Sequence, residues 1–152
     1  MTKAAEDKSS PCVFCSIAEN VAETDLIVHQ GALSFVTLNK YPYSNGHLLL
    51  VPRRHVPKLA ECTSDELIEL IQLTQRAEAA LDEAYSPHGL NIGINLGQSA
   101  GAGVVGHLHI HIVPRWTGDT NFMTTTAETR VVPEEPKQTV SRLRPIFERL
   151  HP

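Results

Sequence analysis

The chain has no surplus of positive charge: 13 Lys and Arg stand against 17 Asp and Glu, a formal net charge of −4. Such a balance supplies no basic field for a long nucleic-acid backbone, so any phosphate ligand is expected to be small and gripped locally. No apolar run approaches the roughly 18 residues that cross a bilayer. The opening segment Met1 to Ser10 has no apolar stretch of the secretory kind, and a cytoplasmic protein is expected. Cysteines number only 3, an odd count with two of them in Cys12-Val13-Phe14-Cys15, which argues against a disulfide framework and for a metal.

What is present is an ordinary globular composition, 41% hydrophobic and 20% charged over 152 residues. That length fits one domain, expected over residues 12–152 behind a flexible tail at 1–11. Leu26-Ile27-Val28 and Leu33 to Leu38 predict a hairpin about Gly31. His47-Leu48-Leu49-Leu50-Val51, stopped by Pro52, predicts a buried central strand. Thr63 to Glu66 offers a hydroxyl cap and an acidic first turn to a long helix, with Leu67, Leu70, Ile71, Thr74, Ala77 and Leu81 at helical spacing and an end near Tyr85-Ser86-Pro87. Leu90 to Leu96 alternates like a strand with one covered face. Thr139 to Leu150 predicts a second helix, disturbed by Pro145. The fold class is therefore α+β: an antiparallel sheet with one long helix packed on it.

The chemistry is concentrated in His107-Leu108-His109-Ile110-His111. On a strand these three imidazoles share one side while Leu108, Ile110 and Ile112 share the other, so one face packs and one reacts. Neutral imidazole is a competent nucleophile toward phosphorus, and neighbouring imidazoles can orient it or bind phosphate oxygens. His47 reaches the same place if its strand lies beside the histidine strand. Ahead of the run, Gly101, Gly103 and Gly106 allow backbone N–H groups to approach an anion. Solvent-exposed edge histidines and a pure metal face are the rival readings. Arg53 and Arg54 read as a solvated turn rather than a polyphosphate guide, and His29, His88 and His151 as surface residues.

The run resembles the histidine-triad nucleotide hydrolases and transferases, whose mark is His-x-His-x-His followed by two apolar residues, here Ile112-Val113. Cys12-x-x-Cys15, Asn39 and Gly46-His47-Leu48-Leu49-Leu50-Val51-Pro52 fall in the family's order too. The resemblance implies that His109 attacks the α-phosphorus of a nucleotide to give a nucleotidyl-histidine, with His107, His111 and His47 positioning it and contacting phosphates. It implies ribose binding by Asn39, while Leu38 and Phe35 either line a base pocket or belong to the core. It also implies a homodimer packed through the long helix and its neighbouring strand. Where many members carry Gln and Ser or Thr just before the triad, this chain has the glycine-rich segment 101–106, with Gln98-Ser99 further back. That segment, with Pro114 to Phe122 after the triad, looks like the bacterial branch that cleaves dinucleoside polyphosphates.

Cys12 and Cys15 have the spacing of half a zinc site. The resemblance completes it with His55 and His107 as a structural zinc, with no organic cofactor; Cys62 is a rival ligand or a small buried residue. The leading expectation is cleavage of dinucleoside polyphosphates with water or phosphate as acceptor. A nucleoside phosphoramidate hydrolase, a nucleotide-binding module without turnover and a zinc-dependent interaction protein are the alternatives. Trp116 either covers the nucleotide or packs in a subunit interface.

Overall fold

The computed structural model describes residues 12–20, 24–119 and 134–150. The expected tail at 1–11, the segment Thr120-Asn121-Phe122 and His151 lie outside the described residues. The described elements are α1 (Val13–Ala18), β1 (Ile27–Gln30), β2 (Ser34–Leu38), β3 (Leu48–Pro52), α2 (Ser64–Tyr85), β4 (Gly89–Ile94), β5 (Ile110–Arg115) and α3 (Pro136–Arg149). The strands form one antiparallel sheet in the order β1-β2-β3-β5-β4, so the α+β reading holds and β3 is central. No described helix is long and apolar enough to cross a membrane.

Strand alternation sorts the sheet into two faces. Val36, Leu38, Leu48, Leu50, Leu108, Ile110 and Ile112 face α2 and α3 in the larger core cluster. Phe35, Leu49 and Val51 face the other way and pack with Phe14 and Ile17 of α1. The histidines belong to this second face, because Leu49 is the register partner of His111. The alternation expected for the triad is kept, but only Ile110 onward joins the ladder. His107 to His109 run before the strand, and the Leu108 N–H donates to the Val56 carbonyl at 2.7 Å.

Helix α2 begins with a reciprocal capping box between Thr63 and Glu66. Its buried stripe is Leu70, Leu73, Thr74, Ala77, Ala80 and Leu81. Ile71, expected on that stripe, is 64% exposed and instead forms an outward apolar pair with Ile68. The helix ends at Ser86 in the left-handed region, with Pro87 unable to continue it. Gly46 is required where the loop before β3 passes α2. Its φ is +76°, and a Cβ there would lie 2.8 Å from a Leu81 methyl.

Helix α3 starts with Pro136 at its first turn and runs through Pro145 without interruption. Leu143 and Phe147 bury that stretch against the core, and the carbonyl of exposed Ser141, which loses its partner to Pro145, is left to solvent. His29 is not a bare surface residue: its ring stacks on Phe147 with centroids 5.7 Å apart. Strand β4 is an edge. Leu90 and Ile94 are half-buried against the core, whereas Ile92 is 48% exposed, so the covered face expected there is incomplete.

Glu66 also binds Arg54 at 2.8 Å, and that guanidinium together with the Thr63 backbone holds its carboxyl down to about 2. Thr63→Ala is expected to lower the unfolding free energy by about 1 kcal/mol. Urea denaturation of this variant, of Glu66→Ala and of the double variant checks it. Because both residues serve one box, the two single losses are expected to exceed the loss in the double variant.

Candidate active site and metal centre

The central position is His107, which is fully buried. Its Nε2–H donates to the Pro52 carbonyl at 2.7 Å, which directs Nδ1 toward the Cys12 sulfur at 3.3 Å and the Cys15 sulfur at 3.6 Å. His55 Nδ1 lies 3.3 Å from the Cys15 sulfur. The ligand atoms of all four residues lie within 4.8 Å of one another. Tetrahedral zinc with ordinary Zn–S and Zn–N bonds sets sulfur and nitrogen about 3.6 Å apart, so the donor set fits. The Pro52 carbonyl supplies the outer hydrogen bond that metal-binding imidazoles generally make. Burial and the neighbouring Cys12 thiol push the Cys15 thiol up to about 11, so Cys15 stays protonated until a cation compensates it. Gly106 abuts this cluster, and a Cβ on it would lie 3.3 Å from His55 Nε2. Cys62 stands apart, half-buried before α2 with its sulfur 3.7 Å from the Lys58 carbonyl.

Both ring nitrogens of His107 are thus occupied, and its imidazole is not available to phosphate. Its carbonyl is: it accepts the Nδ1–H of His109 at 2.9 Å. That bond fixes the tautomer of His109 and leaves Nε2 as a bare lone pair. Phe14, which sequence reasoning passed over, packs against the His109 ring with centroids 5.0 Å apart. An apolar residue between two candidate ligands was the available signal. Burial holds His109 below the ordinary imidazole range, with the His107 carbonyl opposing it.

A second chain of bonds fixes the remaining two imidazoles. The Tyr43 backbone N–H donates to His47 Nδ1 at 3.2 Å, so the His47 proton sits on Nε2. Nε2–H then donates to His111 Nδ1 at 3.0 Å, which places the His111 proton on its own Nε2. Burial, and behind it the proximity of the other imidazoles, lowers both His47 and His111 to about 4. A second proton on either ring would set two N–H groups against each other, so both are neutral near pH 7. The Asn39 amide nitrogen is 3.4 and 3.3 Å from the two His47 nitrogens and therefore meets the ring without choosing between them. Its Oδ1 accepts from the Tyr41 N–H at 3.1 Å.

His47, His107, His109 and His111 are therefore brought together, with Asn39 beside His47. Leu38 is not: it lies in the core on the helix side of the sheet, because Phe35 and Asn39 share a parity that Leu38 lacks. Thr37 occupies that parity instead. Phe35 shares the histidine face but is fully buried, a packing residue. Gly101 has φ +93°, and a Cβ there would meet the Asn95 side-chain nitrogen at 3.9 Å, while Gly103 has open space around the position of a Cβ. Val104 of the same loop packs on the α1 cluster, which keeps the loop on the histidine side.

Neither arginine after β3 is aimed at the site. Arg53 binds the Gly31 and Ala18 carbonyls and the Gln30 side chain, and Arg54 binds Glu66 and the Glu61 carbonyl. Half-buried Trp116 belongs to a turn closed by Asp119, which also binds Arg115. A hollow of about 580 Å³ beside Glu134, Lys137 and Arg142 shares no lining residue with the histidine site.

Comparison with known proteins agrees with this geometry. The HIT domain model matches residues 20–118. The chain is 44% identical over 121 residues to the AP-4-A phosphorylase of Mycobacterium tuberculosis, a match covering 80% of this chain but only 62% of that protein. It is 35% identical over 123 residues to the bis(5'-adenosyl)-triphosphatase of Dictyostelium discoideum, covering 76% of this chain and 81% of the relative. Among solved structures, a Zn-bound histidine triad family protein from Mycobacterium smegmatis superposes with a TM-score of 0.75 at 28% identity, covering 91% of this chain and 94% of its own. The chain belongs to the HIT family, the histidine-triad proteins.

Proposed function

We propose that this protein cleaves dinucleoside polyphosphates of the diadenosine tetraphosphate type through a nucleotidyl-histidine on His109. The observation that carries the reading is the bond from His109 Nδ1 to the His107 carbonyl, which prepares a neutral imidazole with its Nε2 lone pair bare. Nε2 attacks the α-phosphorus, an N–P bond forms, and the bond to the bridging oxygen breaks to release ATP from diadenosine tetraphosphate. The ring then carries positive charge, and the carbonyl dipole of His107 meets it. The Nε2–H of His111 and the amides of the loop containing Gly101 and Gly103 are the donors for the phosphate oxygens, and Asn39 is the group for ribose. Attack by an acceptor oxygen on phosphorus breaks the N–P bond and regenerates His109: phosphate gives ADP, and water gives AMP and a proton.

The names of the two relatives support the substrate class, and the AP-4-A phosphorylase name supports phosphate as acceptor. Product analysis of diadenosine tetraphosphate with and without inorganic phosphate tests the reading. ADP plus ATP, dependent on phosphate, is expected; AMP plus ATP without phosphate would make the enzyme a hydrolase. His109→Ala is expected to lower turnover on the order of a thousandfold or more while nucleotide binding persists. Turnover that survived this change would remove His109 as nucleophile.

Cys12, Cys15, His55 and His107 are proposed to hold one structural zinc, supported by their mutual distances and by the Zn-bound relative. Bound there, the ion would anchor the His107 backbone rather than activate water, since four protein ligands close its coordination. Elemental analysis is expected to give one zinc per chain, lost in Cys12→Ser/Cys15→Ser and kept in His109→Ala. Zinc lost on changing His109 would point to a different ligand set.

A homodimer is proposed across the edge strand β4 and the outer face of α2. Ile92 at 48% and Ile68 at 55% exposure, with Ile71 and Leu96 beside them in sequence, leave apolar surface of the kind subunit contacts cover. Sedimentation at micromolar concentration is expected to give twice the chain mass, falling to the chain mass in Ile68→Asp/Ile92→Asp.

A further inference from the structure

One flank of the site has no role in the proposed cleavage. His111 lies on β5, and His47 and the His107–His109 segment lead into β3 and β5 in the middle of the sheet, with Asn39 at the end of β2. On the opposite side, toward β4, a cleft of about 210 Å³ lies between Tyr43 and the sheet, lined by Asn91, Gly93, His111 and Val113 among others. Whole ligands generally fill roughly 300 Å³ or more, so this cleft is sized for part of a ligand. It touches the donor His111 and offers no charged side chain among its lining residues.

Tyr43 is an unusual wall for it. The side chain is 74% exposed, although its root is held on every side. Its own N–H is bound to His47, the Ser44 hydroxyl donates to the Pro114 carbonyl at 2.9 Å, and Asn45 Oδ1 accepts from the Glu134 N–H at 2.7 Å. Gly46 locks the loop against α2. A large aromatic ring thus stands in solvent on a fixed base, beside the reacting centre, with its centroid 4.9 Å from that of His47. No core packing accounts for that placement. Flat aromatic surface on a rigid support suits stacking of a nucleobase, because little ordering is needed on binding.

Resting on the reading above, we infer that Tyr43 is the stacking platform for the second nucleoside of the substrate, the one that departs with the leaving polyphosphate. The nucleotide transferred to His109 occupies the Asn39 flank. Its partner passes His111 toward β4 and lays its base on Tyr43. The residue then sets preference for substrates with a nucleoside at both ends over those with one.

The test measures equilibrium affinity, so it does not depend on turnover. Diadenosine tetraphosphate and AMP are titrated into His109→Ala alone, and into His109→Ala combined with Tyr43→Ala or with Tyr43→Phe. Tyr43→Ala is expected to weaken diadenosine tetraphosphate about tenfold more than AMP, while Tyr43→Phe keeps the preference. Equal weakening of both ligands, or of neither, overturns the platform. A Phe variant that behaves like Ala also overturns it, since the hydroxyl rather than the ring would then be responsible. The product assay on the unaltered protein judges the reaction separately, so a ring-dependent preference without cleavage would leave the platform and remove the proposed activity.

Discussion

The bond between the His107 side chain and the Pro52 carbonyl organises everything around it. One imidazole nitrogen is spent on the end of β3, which turns the other toward two sulfurs. A ring so fixed at both nitrogens fixes its own backbone, and the carbonyl of that same residue holds His109. A single residue therefore joins two tasks that are usually separated: its side chain completes a cluster of residues that could hold a metal, and its main chain orients the proposed nucleophile. The α1 helix enters through the same junction. Its cysteines meet the imidazole of His107, while Phe14 between them supports His109 from the side.

Desolvation is what makes these bonds chemically useful. Three of the four clustered histidines, His47, His107 and His109, are buried, and burial is the largest influence on each of them. Charged imidazolium is disfavoured there, so the rings remain neutral and each has one donor and one acceptor nitrogen. With Tyr43, Pro52 and His107 supplying backbone partners of known polarity, every proton in the cluster has one consistent location. Exposed histidines on an edge strand, the rival reading of the sequence, would have been free to ionise and to rotate.

Much of this was legible in the sequence because period two is hard to mistake. His107, His109 and His111 against Leu108, Ile110 and Ile112 predicted both faces, and the apolar run after Gly46-His47 predicted a buried central strand, whose place beside the histidines the sheet order supplies. The Thr63 and Glu66 box announced α2. Legibility failed where long-range packing decides. Ile71 has the spacing of a core residue but faces out, since the core selects only one of two apolar stripes on α2. Proximity to Asn39 along the chain leaves Leu38 open between a base pocket and the core, and the pleat, which puts neighbours on opposite sides, decides for the core. His107 was read both as a metal ligand and as a phosphate contact, and nothing in the local sequence indicates that Pro52 occupies its second nitrogen and leaves only the first of these roles to the ring. Tyr43 went unnoticed because an aromatic in a Pro- and Asn-containing loop is ordinary until its neighbours are known.

The alternation through His107 to His111 also governs how this segment can change over generations. Substitutions there can be absorbed singly, each by its own face. Gain or loss of one codon cannot: it would invert the phase of the residues on one side of the lesion, driving imidazoles into the apolar layer beneath α2 and leucine or isoleucine toward the cysteine and histidine cluster. Length drift among descendants of this chain should consequently be found in the glycine-containing loop before the triad or in the turn after β5, and the five residues between should be of invariant length however their identities wander.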